Sequence, residues 1–94
     1  MASWHLTFYG LRVELDHSEV NQVISVMNSA SSGGHIVSGV LNHVSNNSDP
    51  AEHIAMVLSA LIELGAMSLD NCNSNRNGIE LNVTWRHGYW CLPL

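Results

Sequence analysis

Apolar residues alternate with polar ones at both ends of this chain, but they recur with a helical period between the ends. Alternation is typical of strands with one buried face, and a period near 3.6 is typical of helices. The pattern therefore predicts one pair of strands before a helical centre and one pair after it. In chain order this gives ββαααββ, an α+β fold in which an antiparallel sheet of about four strands (two hairpins) packs under three helices.

The first hairpin is predicted from a change of apolar phase at Tyr9 and Gly10. If these two residues form the loop, the large apolar residues before and after them fall on one side of the sheet. The predicted pairs are Phe8 with Leu11, Leu6 with Val13 and Trp4 with Leu15. One long strand with a bulge at Gly10 is the alternative.

The second hairpin is predicted near the end of the sequence, with His87 and Gly88 as its loop. Its predicted pairs are Trp85 with Trp90, Val83 with Leu92 and Leu81 with Leu94. Pro93 marks the last strand as an edge strand. The apolar alternation of the two hairpins together places four aromatic residues on the inner face of the sheet. We expect them in the core rather than around a flat ligand. They are Trp4, Phe8, Trp85 and Trp90.

Two helices are predicted in the first half of the helical region. Asp16 and Glu19 form a capping-box pattern at the start of the first helix. Residues 31–34, Ser-Ser-Gly-Gly, end that helix, and a second short helix is expected over about residues 35–45. The segment 31–35 also resembles a loop that could hold an anion at a helix N-terminus, but it lacks the lysine and the spacing of a P-loop, so a chain-reversing turn is preferred.

The third predicted helix follows a polar loop at residues 46–48. Asp49 is expected at its N-cap and Pro50 at its first position. Residues 54–67 are apolar on nearly every side, and the clearest polar strip consists of Glu52, Ser59 and Glu63. Such a helix is typical of a domain centre or a subunit interface. Residues 69–78 are predicted to be a long polar loop.

Charge narrows the class of partner. Only 12% of the residues are charged, the three basic residues are Arg12, Arg76 and Arg86, and the formal net charge is −5 with the histidines neutral. Proteins that bind nucleic acid neutralise several phosphates with lysine and arginine, and anionic membranes attract basic segments in the same way. We therefore expect no nucleic acid and no membrane among the partners. An acidic protein is better suited to a basic partner.

Length predicts a single compact domain, 1–94, and the N-terminal residues predict the cytoplasm. No linker separates the apolar segments, and the first residues lack the charged and apolar regions of a secretory signal. In a reducing compartment Cys72 and Cys91 are expected to be two thiols, and a disulfide between them is the alternative.

Neither the histidines nor Cys72 form a recognisable catalytic or metal motif. The six histidines include no HxxxH, HxH or HExxH spacing, so helix caps and surface imidazoles are the expected roles. We expect no cofactor and no metal, although a site assembled across a symmetric interface stays open. Cys72 as a nucleophile activated by a distant histidine is disfavoured, because no motif surrounds it.

The best site prediction is a set of residues at loop tips or on the outer sheet face: Tyr9, Arg86, His87 and Tyr89. Exposed aromatic residues beside arginine are typical of interaction hot spots. The predicted function is a small non-enzymatic binding protein, of the inhibitor, immunity or viral accessory type, that engages another protein or a small ligand. One alternative is a membrane-active, toxin-like protein that inserts residues 54–67. The other is a small metal-dependent or Cys-dependent enzyme.

Self-association is also predicted. Residues 54–67 need cover around most of the helix, and a domain of this size buries only about 60 to 65% of its unfolded surface. With only 12% charged residues, electrostatic repulsion between copies of the chain is weak. We therefore expect a homo-oligomer that hides the remaining apolar surface.

Overall fold

The computed structural model describes residues 2–29, 33–44 and 49–94, without the side chains of residues 33, 35–37 and 43. The elements in chain order are β1 (Ser3–Leu6), β2 (Gly10–Leu15), α1 (His17–Ser29), α2 (Gly33–Val44), α3 (Ala51–Cys72), β3 (Ile79–Thr84) and β4 (Tyr89–Pro93). The strands form one antiparallel sheet in the order β1-β2-β3-β4. The predicted α+β fold with the order ββαααββ is confirmed.

The core lies between the inner face of the sheet and the three helices. The alternate residues of the two central strands are almost completely buried, as the apolar alternation predicts. The helices add valine, leucine and alanine side chains to the same cluster. The buried apolar residues of the central strands are Leu11, Val13, Leu15, Ile79, Leu81 and Val83, and those of α3 are Val57, Ala60, Leu61 and Leu69.

The predicted capping box at the start of α1 is confirmed. The Glu19 backbone N–H donates to Asp16 Oδ1 at 2.7 Å, and the Asp16 backbone N–H donates to Glu19 Oε1 at 3.0 Å. These reciprocal bonds satisfy two backbone donors at the helix start. They fix the direction in which the chain leaves β2.

The structure corrects both ends of the third helix. Pro50, rather than Asp49, stands at the N-cap of α3, and no side-chain cap bond forms there. The helix continues to Cys72, although Gly65 interrupts it with φ 77° and ψ 169°. The expected polar loop at 69–78 therefore begins later, because Leu69 still points into the core while Asp70 stays exposed.

The second helix starts two residues earlier than predicted. Gly33 and Gly34 lie inside α2 rather than in a break. Residues 31, 32 and 45–48, which carry the rest of the predicted break and the polar loop before α3, lie outside the described residues.

The first hairpin forms with a register different from the predicted one. Trp4 pairs with Val13 and Leu6 with Leu11, so the predicted partners are shifted by two residues and the inner face is kept. The Thr7 backbone N–H donates to the Gly10 carbonyl oxygen at 2.9 Å, so the loop consists of Phe8 and Tyr9, one residue earlier than predicted. Phe8 therefore sits at the loop tip with 96% of its surface exposed, and not in the core.

Gly10 is a strand residue rather than a loop residue. It pairs with Thr84 on β3, and a Cβ at this position would collide with the carbonyl oxygen of Val83. The close approach of two backbones, and not a two-residue turn, accounts for this glycine. The alternative of one long strand bulged at Gly10 is not formed.

In the second hairpin, the side chains of β4 point to the opposite faces of the sheet from those predicted. Val83 pairs with Tyr89 and Asn82 with Trp90, an odd shift that moves every β4 side chain to the other side of the sheet. Trp90 and Leu92 therefore lie on the outer face and are partly exposed, while Tyr89 and Cys91 pack toward the helices. Trp85 is also 44% exposed. Of the four aromatic residues predicted in the core, only Trp4 packs against it.

A disulfide explains why β4 takes this face. Cys72 at the end of α3 is bonded to Cys91 in β4, with their Cα atoms 6.2 Å apart. The bond requires Cys91 to face the helices, which turns its neighbours Trp90 and Leu92 outward. The expectation of two thiols is therefore wrong.

Candidate functional site

A cleft lies between α3 and the turn that joins β3 to β4. Two contiguous cavities of about 440 and 160 Å³ share Met56, Ser59 and His87. We name the cleft the α3–turn groove. Its lining consists of Glu52, His53, Ala55, Met56, Ser59, Ala60, Glu63, Val83, Trp85, His87 and Tyr89.

The helical wall of the groove is one stripe of α3. Glu52, Met56, Ser59 and Glu63 are separated by four, three and four positions, the spacing that aligns side chains on one side of a helix. The sequence predicted three of these four as the polar strip of the helix, and they are exposed. The other side of the same helix buries Val57 and Leu61 in the core. The stripe is therefore held in place by the packing behind it.

The opposite wall is the turn between β3 and β4. The Thr84 backbone N–H donates to the Gly88 carbonyl oxygen at 2.8 Å, and the Gly88 N–H donates to Thr84 Oγ1 at 2.9 Å. His87 adopts a left-handed φ of 67° inside this closed turn. The Trp85 backbone N–H donates to the Tyr9 carbonyl oxygen at 3.0 Å, which links the turn of the second hairpin to the loop of the first. These bonds hold the aromatic rings of the turn beside α3.

One aromatic pair bridges the two walls. The rings of His53 on α3 and Trp85 in the turn have centroids 5.5 Å apart and planes inclined by 43°. This separation lies within the range of favourable aromatic contacts. The contact closes the end of the groove near the start of α3 and holds the Trp85 indole against it.

The lining chemistry combines acidic, aromatic and hydroxyl groups. Glu52 and Glu63 supply carboxylates, His53 and His87 supply imidazoles, and Ser59 supplies a hydroxyl. The lining contains no arginine or lysine, although Arg86 is exposed in the turn between Trp85 and His87.

The described part of the chain contains neither a cluster of metal ligands nor a free thiol. No group of three or more histidine, cysteine, aspartate or glutamate side chains there is placed to hold a metal ion. Cys72 has its sulfur in the disulfide with Cys91, so it carries no thiolate for nucleophilic attack in this state.

The structure separates the four residues predicted as the site. His87 and Tyr89 line the α3–turn groove, although Tyr89 packs on the helix side rather than on the outer face. Arg86 is exposed in the same turn but outside the lining. Tyr9 lies on the other side of the sheet, where its hydroxyl donates to Asn82 Oδ1 and its ring lies 5.2 Å from that of Trp90.

Sequence reasoning missed the α3 half of the groove as a site. The stripe of Glu52, Ser59 and Glu63 was visible as a helical pattern, but only as the solvent side of a core helix. His53 and Trp85 are distant in sequence, so no local spacing indicates that their rings meet. The signal that could have indicated this half of the site is a polar strip along an otherwise apolar helix.

A second exposed surface covers the outer face of the sheet. The ring of Tyr9 contacts the rings of both Phe8 and Trp90, and its hydroxyl bonds the buried amide of Asn82. Leu92 continues this surface along β4 and is 47% exposed. We name it the outer β4 face. It offers apolar and aromatic area but no cleft.

By length and composition, α3 is the one helix in the described residues that could cross a membrane. Core helices of soluble proteins pass the same test when they are mostly buried; in α3, Val57 and Leu61 are fully buried, but only 22% of the apolar window is.

Comparison of the chain with protein-family models, curated proteins and solved structures finds no match to any of them.

Proposed function

We propose that this chain is a small non-enzymatic binding protein whose α3–turn groove engages a segment of another protein. The observation that carries the proposal is the groove itself, in which Trp85 and Tyr89 border an open cleft of about 440 Å³ and its smaller extension. Tryptophan and tyrosine are enriched at the centres of protein interfaces because they bury a large area with few rotatable bonds. The bonds between Thr84 and Gly88 fix the backbone of the turn that carries Trp85 and precedes Tyr89.

The binding role is tested by mapping small probes onto the protein. We expect a mixed set of aromatic, polar and charged fragments to shift the backbone amide signals of Met56, Trp85 and His87 in NMR spectra of the labelled protein. Binding sites concentrate small ligands in such clefts. Substitution Trp85→Ala should weaken the fragment affinities about fivefold or more, since loss of a central aromatic residue costs about 1 to 2 kcal/mol.

Phe8→Ala is the matched control. It removes an aromatic ring that is 96% exposed at the tip of the first hairpin and outside the groove. Fragment affinities should stay within experimental error of those of the unchanged protein. Shifts that concentrate on the outer β4 face, or that are scattered over the surface, would show that the groove is not the binding site.

Self-association is a second part of the proposal, and we assign it to the outer β4 face. β4 is an edge strand of the four-stranded sheet, and Trp90 and Leu92 present their side chains from it, 42 and 47% exposed. A two-fold contact between two such faces would hide this area. The low fraction of charged residues, 12%, leaves little repulsion between copies.

We expect light scattering at 10 to 50 micromolar protein, concentrations within the range where modest dimer interfaces are occupied, to give the mass of a dimer. Leu92→Glu should shift the mass to that of a monomer, because like charges would meet across the two-fold axis. Its circular dichroism should be unchanged. A monomer mass for the unchanged protein, or a dimer that survives Leu92→Glu, would contradict this assignment.

A further inference from the structure

The charge of the α3–turn groove is one-sided. Two of its lining residues, Glu52 and Glu63, have carboxylate side chains, and no lining residue is lysine or arginine. The chain as a whole carries a formal charge of −5. A cation that enters the groove is therefore attracted both by the nearby carboxylates and by the field of the whole molecule.

The two carboxylates stand at opposite ends of the groove. Glu52 lines only the larger cavity and Glu63 only the smaller one. Along α3 they are 11 positions apart, which is about 16 Å at 1.5 Å per residue. A strand that rises about 3.3 Å per residue covers this distance in about five residues.

The aromatic wall fits a cation as well as an apolar group. Trp85 and Tyr89 present rings to the groove, and His53 holds the Trp85 indole from the other wall. Lysine and arginine bind the faces of such rings, tryptophan most strongly. The thioether of Met56 lines both cavities, and it offers an apolar surface to the aliphatic stems of such side chains without adding charge.

On these grounds we propose that the α3–turn groove binds an extended basic segment of a partner protein, with two arginine or lysine side chains four to six residues apart. One cation pairs with Glu52 beside Trp85, and the other pairs with Glu63 beside Tyr89. Cavities of about 440 and 160 Å³ hold a few side chains, so a short extended segment fits and an 11-residue helix of about 10 Å diameter does not. The inference rests on the proposed binding function.

The test uses three peptides of glycine and serine that each carry two charged residues. In one peptide the arginines are five positions apart, in a second they are adjacent, and in a third glutamate replaces both arginines of the first. Affinities are measured by titration of the labelled protein with NMR detection at Met56, Trp85 and His87. We expect the spaced peptide to bind at least about threefold more tightly than its adjacent isomer, because only the spaced one reaches both carboxylates.

Charge-neutralising variants locate the contacts. Glu52→Gln and Glu63→Gln should each weaken the spaced peptide about two- to fivefold, the range expected for exposed ion pairs. Trp85→Ala should weaken it by a similar factor. Glu14→Gln removes a carboxylate from the outer sheet face, where Glu14 lies 3.4 Å from His5, and should leave the affinity unchanged.

Arg86 provides an independent sign test. Its exposed guanidinium lies in the turn that forms one wall of the groove, so it opposes the entry of a cation. Arg86→Gln should therefore raise the affinity for the spaced arginine peptide by up to about twofold. It should lower any affinity for the glutamate peptide. The affinities of both arginine peptides should decrease as the salt concentration rises, because salt screens exposed charges.

The outcomes separate the inference from the proposed function. If glutamate or uncharged peptides bind the groove as tightly as the arginine peptides, the basic segment is the wrong ligand and the groove remains a binding site. Equal affinity for the spaced and adjacent isomers overturns the two-ended arrangement. If no arginine peptide shifts the groove signals, the inference fails, and the fragment map alone then decides the proposed function.

Discussion

The substitution Leu61→Asp is expected to unfold the protein at 25 °C. Leu61 lies on α3, is 0% exposed and belongs to the central apolar cluster. The change removes a buried leucine, which typically costs about 2 to 5 kcal/mol, and it leaves a carboxylate with no partner in the core, which adds several kcal/mol more. A domain of this size has about 5 to 14 kcal/mol of total stability. Far-UV circular dichroism and thermal melts measure the result.

The neighbouring substitution Ile62→Asp is the control. Ile62 follows Leu61 on the same helix but is 39% exposed, so the new carboxylate remains in water. The change in helix propensity is nearly the same at both positions, and the remaining difference is burial. We expect Ile62→Asp to keep a cooperative melt and to lose about 1 kcal/mol or less. A Leu61→Asp protein that melts as cooperatively as this control would show that α3 does not pack as described.

The second large effect is expected from loss of the disulfide. The bond between Cys72 and Cys91 closes a loop with a sequence separation of 19 residues. Restriction of the unfolded chain by a loop of this length is worth about 3 kcal/mol in the chain-entropy model. The double substitution Cys72→Ser and Cys91→Ser should therefore lower the urea midpoint by about 1 to 3 M, for slopes of about 1 to 3 kcal/mol per molar.

Reduction of the unchanged protein provides the comparison. Treatment with a reducing agent should lower the urea midpoint by a similar amount, and it should not affect the double-serine variant. Hydrogen exchange should accelerate first in residues 66–72, which follow the Gly65 interruption and depend on the bond for attachment to β4. Identical midpoints with and without reducing agent would show that the bond does not stabilise the fold.

The disulfide also changes what is expected of the cellular location. Stable disulfides occur mainly in oxidising compartments. The cytoplasmic prediction rested on the N-terminal residues, and the expectation of two thiols followed from it; the bond between Cys72 and Cys91 contradicts that expectation. We therefore propose that the protein folds in an oxidising environment. Mass determination of the protein taken from its natural source, with and without thiol alkylation, would decide between the bonded and the reduced form.

Local sequence patterns were sufficient for the element order and much of the core. The capping box of Asp16 and Glu19 involves residues three apart, so the bonds that start α1 depend on local geometry. The alternation in β2 and β3 identified the buried face of both central strands, because side chains on a strand point to opposite sides in turn. The strip of Glu52, Ser59 and Glu63 followed from the helical period in the same way.

Tertiary contacts decided the pairing of the strands and the position of the site. A hairpin register is fixed by its turn and by what each face meets, and apolar alternation in β4 was compatible with either face. The bond from Cys91 to Cys72 selects one face and sends Trp90 outward. The groove arises because a turn at residues 85–88 lies against a helical stripe more than 20 residues earlier in the chain. The apolar pattern within either segment says nothing about how close the two segments lie. Only the packing of the folded chain could bring His53 and Trp85 together.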